Sequence, residues 1–292
     1  MSSGDRPAGI PASAHGLWDR GAQTQQVRPG DLWVLSWDGV VVGLAMIAAA
    51  KNGFVLAWPV TLPGELAFSP GLVVEDSPLG VPVTVWPTRE TGIGNHLLDR
   101  GLGRLLSPDR IPPISFALDD GEDPGLVFVS GSARDAANLD ADRLMVDHWT
   151  ELCFNTGGAE EGPFLDSEKV KQAGGNSRIV GEVLGLALPE LRSLMDGVEP
   201  ISAEQLTAVA ERLGVDGDSI VGADPLAGVV IDIAQPSYKR DIVARTEATG
   251  IGEADIRRST RREFALAARN DSDALRETKL RDAINRAGRG GT

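Results

Sequence analysis

Four arginines, Arg257, Arg258, Arg261 and Arg262, crowd the stretch "IRRSTRRE", the densest cluster of one chemistry in the chain. If the segment is helical they fall on adjacent faces of one helix, where together they can contact several phosphates. A run of this kind also serves as a solvated helix face or as an intramolecular partner for acidic groups. The other reactive residue types are dispersed. Three histidines, His15, His96 and His148, are too scattered for a metal motif, and no H-E-x-x-H occurs. His148, beside Trp149, reads as a structural residue at a helix edge. "DDGEDPG" (119–125) lacks the alternating ligands and terminal Glu of a calcium loop and reads as a solvated turn. "TGIGNHL" (91–97) has a pair of glycines but neither a P-loop lysine nor a dinucleotide fingerprint. Cys153 has apolar helical neighbours, which predicts burial rather than nucleophilic use. Neither a metal nor a cofactor is expected.

The elements that position these groups belong to a chain of 292 residues with 42% apolar content, long enough for two modest domains. The 35 glycines and 18 prolines imply many turns. A single cysteine excludes an intrachain disulfide and makes a thiolate cluster a poor reading. The first twenty residues carry no apolar h-region, and the run "GVVVGLAMIAAA" (39–50) is too short to cross a bilayer, which takes about 20 residues. These features predict a cytoplasmic protein with no membrane partner. The net charge of -14 is unevenly spread: residues 236–292 hold 13 Lys/Arg against 9 Asp/Glu, and the preceding residues hold 15 against 33. An acidic body with a basic tail repels nucleic acid at long range unless a basic stripe is suitably placed.

Composition along the chain predicts an α+β protein. Residues 1–26 have no sustained period and read as a flexible leader. "DLWVLSW", "VVVGLAMIAAA", "FVLAWPV" and "PVTVWP" are strand candidates, with "KNG" (51–53) as a hairpin turn. Such spacing suggests a small barrel. "NHLLDRGLGRLL" (95–106) reads as a short helix weakened by two glycines. "GLVFVSG" (125–131) is a further strand, and 140–154 is an amphipathic capping helix with Met145, Trp149 and Leu152 on one face. This domain spans 27–154, and "NTGGAEEGP" marks a linker at 155–162. Helical segments fill a second domain at 163–222. Residues 224–241 read as a strand or connector within a basic tail, 223–292. In that tail Ile256, Phe264, Leu266, Leu275, Leu280 and Ile284 are too sparse for a dedicated core.

In "IVGEVLGLALPELRSLMDGVEPISAEQLTAVAERLGV" (179–215), Gly185 sits where a first helix must stop. Pro189 suits the first turn of the next. Val180, Val183 and Leu184 can meet Leu191, Leu194 and Met195, and Ser202 with Gln205 makes a capping box for a closing helix. This pattern resembles the XRE (Cro-type repressor) helix-turn-helix family over about 40 residues. The resemblance implies a second helix in the major groove, where Glu190, Arg192 and Ser193 face bases, with Arg178 nearby. Duplex DNA is then the partner, and a homodimer on paired half-sites is expected. Against it, residues 160–218 hold five Lys/Arg and twelve Asp/Glu. A helical module that binds a partner protein is the alternative.

A second resemblance rests on Arg28 to Trp33, Pro59 to Thr61, Thr88 to Arg89 and Leu102 to Leu105. In this order the segments are similar to the MazF/PemK-type toxin barrel, an SH3-like fold. That family cleaves single-stranded RNA with an Arg and a hydroxyl residue, so the resemblance implies Thr61 as the hydroxyl. The arginine expected after the first hairpin is missing, because "GVVVGLAMIAAA" holds no cation. Unless Lys51 or Arg89 substitutes, the barrel is catalytically silent and acts as a binding module. The combined expectation is a DNA-binding regulator or antitoxin-like protein. The alternatives are an RNA-cleaving barrel regulated by the helical domain, or an interaction scaffold.

Overall fold

The computed structural model describes residues 6–7, 9–22, 26–65, 67–132, 134–159, 162–270 and 275–289. The chain divides into two compact units, one of residues 1–157 and 234–246, the other of 158–233 and 247–292.

The first unit opens with a short helix, α1 (His15–Arg20), followed by strands β1 (Asp31–Trp37), β2 (Val40–Ala50), β3 (Phe54–Thr61), β4 (Leu72–Val74), β5 (Val83–Val85), β6 (Thr91–Gly94) and β7 (Leu98–Arg104). Helix α2 (Ile111–Asp120), strand β8 (Val127–Phe128) and helix α3 (Ala136–Phe154) complete the stretch. The eight strands form one antiparallel sheet in the order β7-β1-β2-β3-β5-β4-β8, and β6 pairs with the first half of β3 along the edge that β5 takes at Val60 and Thr61. The expected barrel is therefore an open sheet, because β7 and β8 end the order without pairing to each other.

Alternation along the strands explains why they read as unbroken apolar runs. On β1, Leu32 and Val34 enter one core while Trp33 and Leu35 enter another on the opposite face. On β3, Trp58 and Val60 join the first core, Val55 and Ala57 the second. Both faces are covered, so neither side of these strands can be polar. The first core is closed by α1 and α2 through Trp18, Ile111 and Ile114, and the second by α3 through Trp149 and Leu152. Each buried side chain of this size contributes about 1.5–3 kcal/mol of transfer free energy.

Several expectations change here. Residues 95–106 are not a helix: a single turn over Asn95–Leu97 leads into β7, which pairs with β1. Two bulges in that pairing break the alternation, so Leu98 reaches the second core and Leu102 the first at a spacing that mimics a helix. The leader is ordered in part. Ile10, Ala14 and Trp18 are buried, Arg100 bonds the Trp18 carbonyl and lies over its ring, and Arg6 pairs with Asp19 at 2.6 Å. The Arg6 guanidinium holds the Asp19 carboxyl below its ordinary range. Residues 1–5, 8 and 23–25 of that leader, and 160–161 of the linker, lie outside the described residues. Cys153 is exposed, because the apolar side of α3 runs through Met145, Trp149 and Leu152 and leaves Cys153 off it. His148 bonds the Val42 carbonyl at 2.7 Å, the structural role expected of it.

In the second unit come β9 (Phe164–Leu165), α4 (Ser167–Gln172), α5 (Ser177–Leu184), α6 (Leu188–Met195), α7 (Ala203–Leu213), β10 (Val221–Gly222, paired with β9) and α8 (Ala227–Ile233). Helix α9 (Pro236–Thr249) follows, its residues to 246 belonging to the first unit, and then α10 (Glu253–Asn270) and α11 (Arg276–Arg286). Residues 224–241 are thus helical rather than a strand. Val229 and Ile233, four apart, are the buried pair of α8, and Pro236 opens α9 without costing a hydrogen bond. In the tail Ile256, Phe264, Leu280 and Ile284 are buried and α10 is in contact with α11, while Leu266 and Leu275 stay exposed. Among the described residues no helix is long and apolar enough to cross a membrane.

Candidate functional site

Helices α5, α6 and α7 follow the predicted segments closely. Asn176 caps α5, accepting from Ile179 N at 3.0 Å, and the helix ends at Gly185 with φ 62°, a left-handed value that a Cβ disfavours. Gly181 lets α6 approach, since a Cβ there would stand 2.8 Å from Leu191 Cδ2. Val180, Leu191, Leu194 and Met195 share one core with Val209 and Ala210 of α7, with Val183 and Leu184 packed against it. The Ser202–Gln205 capping box is formed in both directions at 3.1 Å. These features build a helix, a tight turn and a second helix whose outer side is free.

The outer side of α6 carries Leu188, Pro189, Glu190 and Arg192, with Ser193 half-buried. Leu188 is 60% exposed, so the first turn presents an apolar knob. Glu190 accepts a hydrogen bond from Ala187 N at 3.1 Å, which ties its carboxylate to the start of its own helix. Arg178 is paired with Glu182 one turn on at 2.8 Å, both side chains exposed. The Arg192 side chain is exposed and makes no hydrogen bond or ion pair among the described residues.

The arginine cluster is distributed otherwise than a phosphate-binding stripe requires. The segment is helical, as expected, but Arg257 and Arg261 point inward. Arg257, 5% exposed, donates to Glu253 Oε1 at 2.7 and 3.2 Å and to the Ile233 carbonyl at 2.8 Å. Arg261, 2% exposed, makes a two-pronged contact to Asp224 at 2.7 and 2.8 Å and donates to the carbonyls of Val198 and Gly197 at 3.0 Å each. Its guanidinium also lies 4.9 Å from the centre of the Phe164 ring. Burial pulls the Arg257 guanidinium down from its ordinary pKa, and Glu253 opposes that pull. Residues 253, 257 and 261 recur every four positions, so they share one face of α10. That face is the inner one. Arg258 and Arg262 lie on the outer side, paired with Asp255 and Glu199 respectively. The missed partners, Asp224 and Glu253, carried a local signal only in the i, i+4 spacing of Glu253 and Arg257.

In the first unit, Thr61 and Arg89 are both engaged. The Thr61 hydroxyl accepts from Trp86 Nε1 at 3.1 Å. Arg89 grips both carboxylate oxygens of Asp142 at 2.9 and 2.8 Å and donates to the Thr88 carbonyl. A guanidinium neutralised by a bidentate carboxylate offers little field to a developing phosphorane charge. Among the described residues no group of three His, Cys, Asp or Glu is placed to hold a metal ion.

No protein-family model, curated protein or solved structure matches this chain.

Proposed function

We propose that this chain is a non-catalytic regulatory binding protein, in which the helix-turn-helix of 177–213 makes contacts to a partner protein and the first unit serves as a second binding module. The commitment of the cations carries this reading. Of the six arginines proposed for DNA, two are buried in the second unit, three are paired with carboxylates, and the guanidinium of Arg192 alone has no partner among the described residues. An exposed pair is worth about 0–1 kcal/mol and opens easily, but its carboxylate then stays beside the phosphate. The exposed Leu188 and Pro189 at the start of α6 suit an apolar contact better than a base edge. In the toxin–antitoxin setting that the two resemblances imply, the partner is a protein and the assembly includes a homodimer.

The second reading, a reader of duplex DNA, is favoured by Arg192 on the outer side of α6. Fluorescence anisotropy of the full chain against duplex DNA from its own upstream region, with a scrambled control at low and physiological salt, separates the two. The expected result is equal binding to both duplexes that vanishes with salt. Preferential binding that survives physiological salt and is lost in Arg192→Ala overturns the proposal in favour of DNA.

A further inference from the structure

Helix α3 covers the second core of the first unit with Met145, Trp149 and Leu152, yet its other side is not simply polar. Leu139, Leu144, Val146 and Phe154 are exposed, Leu144 by 69% and Phe154 by 77%. They are four of the twelve large apolar side chains exposed among the described residues, a concentration that a surface of singly scattered apolar residues does not show. At 3.6 residues per turn Leu139, Val146 and Phe154, spaced by seven and eight, form one stripe along the outer side.

Between that stripe and Leu144 runs a row of exposed carboxylates, Asp140, Asp147 and Glu151. Their side chains make no hydrogen bond or ion pair among the described residues, and Arg143, four positions before Asp147, is not paired with it. Stability of the helix itself does not account for the row. Asp147 and Glu151 are like charges at i, i+4, and Glu151 lies near the negative end of the helix dipole, in a last turn that holds no basic residue. Both arrangements weaken an isolated helix, and both are relieved by cations brought from outside.

We infer that the outer side of α3 docks a cationic amphipathic helix of a partner protein, with apolar residues on Leu139, Val146 and Phe154 and Lys or Arg along Asp140, Asp147 and Glu151. The inference rests on the reading of the first unit as a binding module and assigns that module its surface and its class of partner. Charge selects this occupant over a second copy, because two α3 helices laid face to face bring six free carboxylates together against two arginines.

Fluorescence anisotropy of labelled peptides titrated with the full chain tests this. The probes are a Leu/Lys helix of about three heptads, the same composition scrambled so that no apolar face forms, and a Leu/Glu counterpart. The Leu/Lys helix is expected to bind at least tenfold more tightly than either control. Leu139→Ser combined with Val146→Ser, both at exposed positions that leave circular dichroism unchanged, weakens it at least tenfold. Glu151→Lys weakens it several-fold and lowers its salt sensitivity, whereas Leu188→Ser on α6 leaves it unchanged. Equal binding of the Leu/Lys helix and its scrambled control reports only attraction to an acidic chain and overturns the inference, as does no binding of the Leu/Lys helix, binding indifferent to the α3 changes, or binding lost in Leu188→Ser. Sedimentation of the full chain covers the other occupant: a dimer that the α3 serine changes dissociate, with no binding of the Leu/Lys helix, puts a second copy in place of the partner helix. The duplex-DNA measurement does not involve α3, so it judges the underlying reading separately.

Discussion

In the first unit the interior is filled by Trp18, Trp33, Trp58 and Trp86, and the central strands feed alternate residues into two apolar layers. In the second unit the inner face of α10 carries Glu253, Arg257 and Arg261. The two solutions differ in what they demand of the surroundings. An indole or isobutyl group gains from any close-packed apolar neighbour, so many arrangements serve. A buried guanidinium must find an acceptor for each donor, and its desolvation can cancel the Coulombic gain. The ion pairs of α10 therefore add little net stability over an apolar face. They restrict the helix to the position where Val198, Gly197, Ile233 and Asp224 can be reached.

The contrast is broken most directly by removing one charge and leaving its partner. Glu253→Ala strands Arg257 in the interior and is expected to cost about 3–5 kcal/mol, measured by urea denaturation followed by circular dichroism. Arg258→Ala, one position from Arg257 but on the outer side, is its control and stays within about 0.5 kcal/mol. A loss under about 1 kcal/mol in the first variant means that water reaches the pair, and the contrast fails. Next in size, Trp18→Ala removes the main apolar anchor of α1 and is expected to cost about 3 kcal/mol in the same assay. A negligible loss shows that 10–20 rests on the sheet without belonging to its core. Smallest is Ser202→Ala, which deletes the cap of α7 and costs about 1 kcal/mol, sharpening the comparison by showing that local signals in the second unit carry ordinary weight.

What was legible in the sequence follows the same division. The hairpin at "KNG", the strands β1 to β3 and the helices α5 to α7 each depend on turn residues, caps or short-range spacing, and these lie within a few residues of one another. The helix read into 95–106 failed because bulges moved Leu98 and Leu102 to opposite cores, which only the pairing with β1 reveals. The arginine stripe failed for a related reason. Asp224 is 37 residues from Arg261 in sequence, and the carbonyls of Gly197 and Val198 are farther still. A count of charges registers the guanidinium and overlooks acceptors that come from the backbone. Thr61 and Arg89 were picked by resemblance, whereas Asp142, which neutralises Arg89, lies 53 residues on with no local mark.

Helix α9 ties a late stretch of the chain to the first unit. Lys239, 1% exposed, donates from Nζ to the carbonyls of Ser36 and His96 at 2.8 and 3.0 Å and lies 5.5 Å from the centre of the Trp37 ring. This peg belongs to the sheet but is synthesised only after most of the helical unit. Cutting the gene after residue 157, where the first unit's continuous stretch ends, therefore severs the peg from its slot.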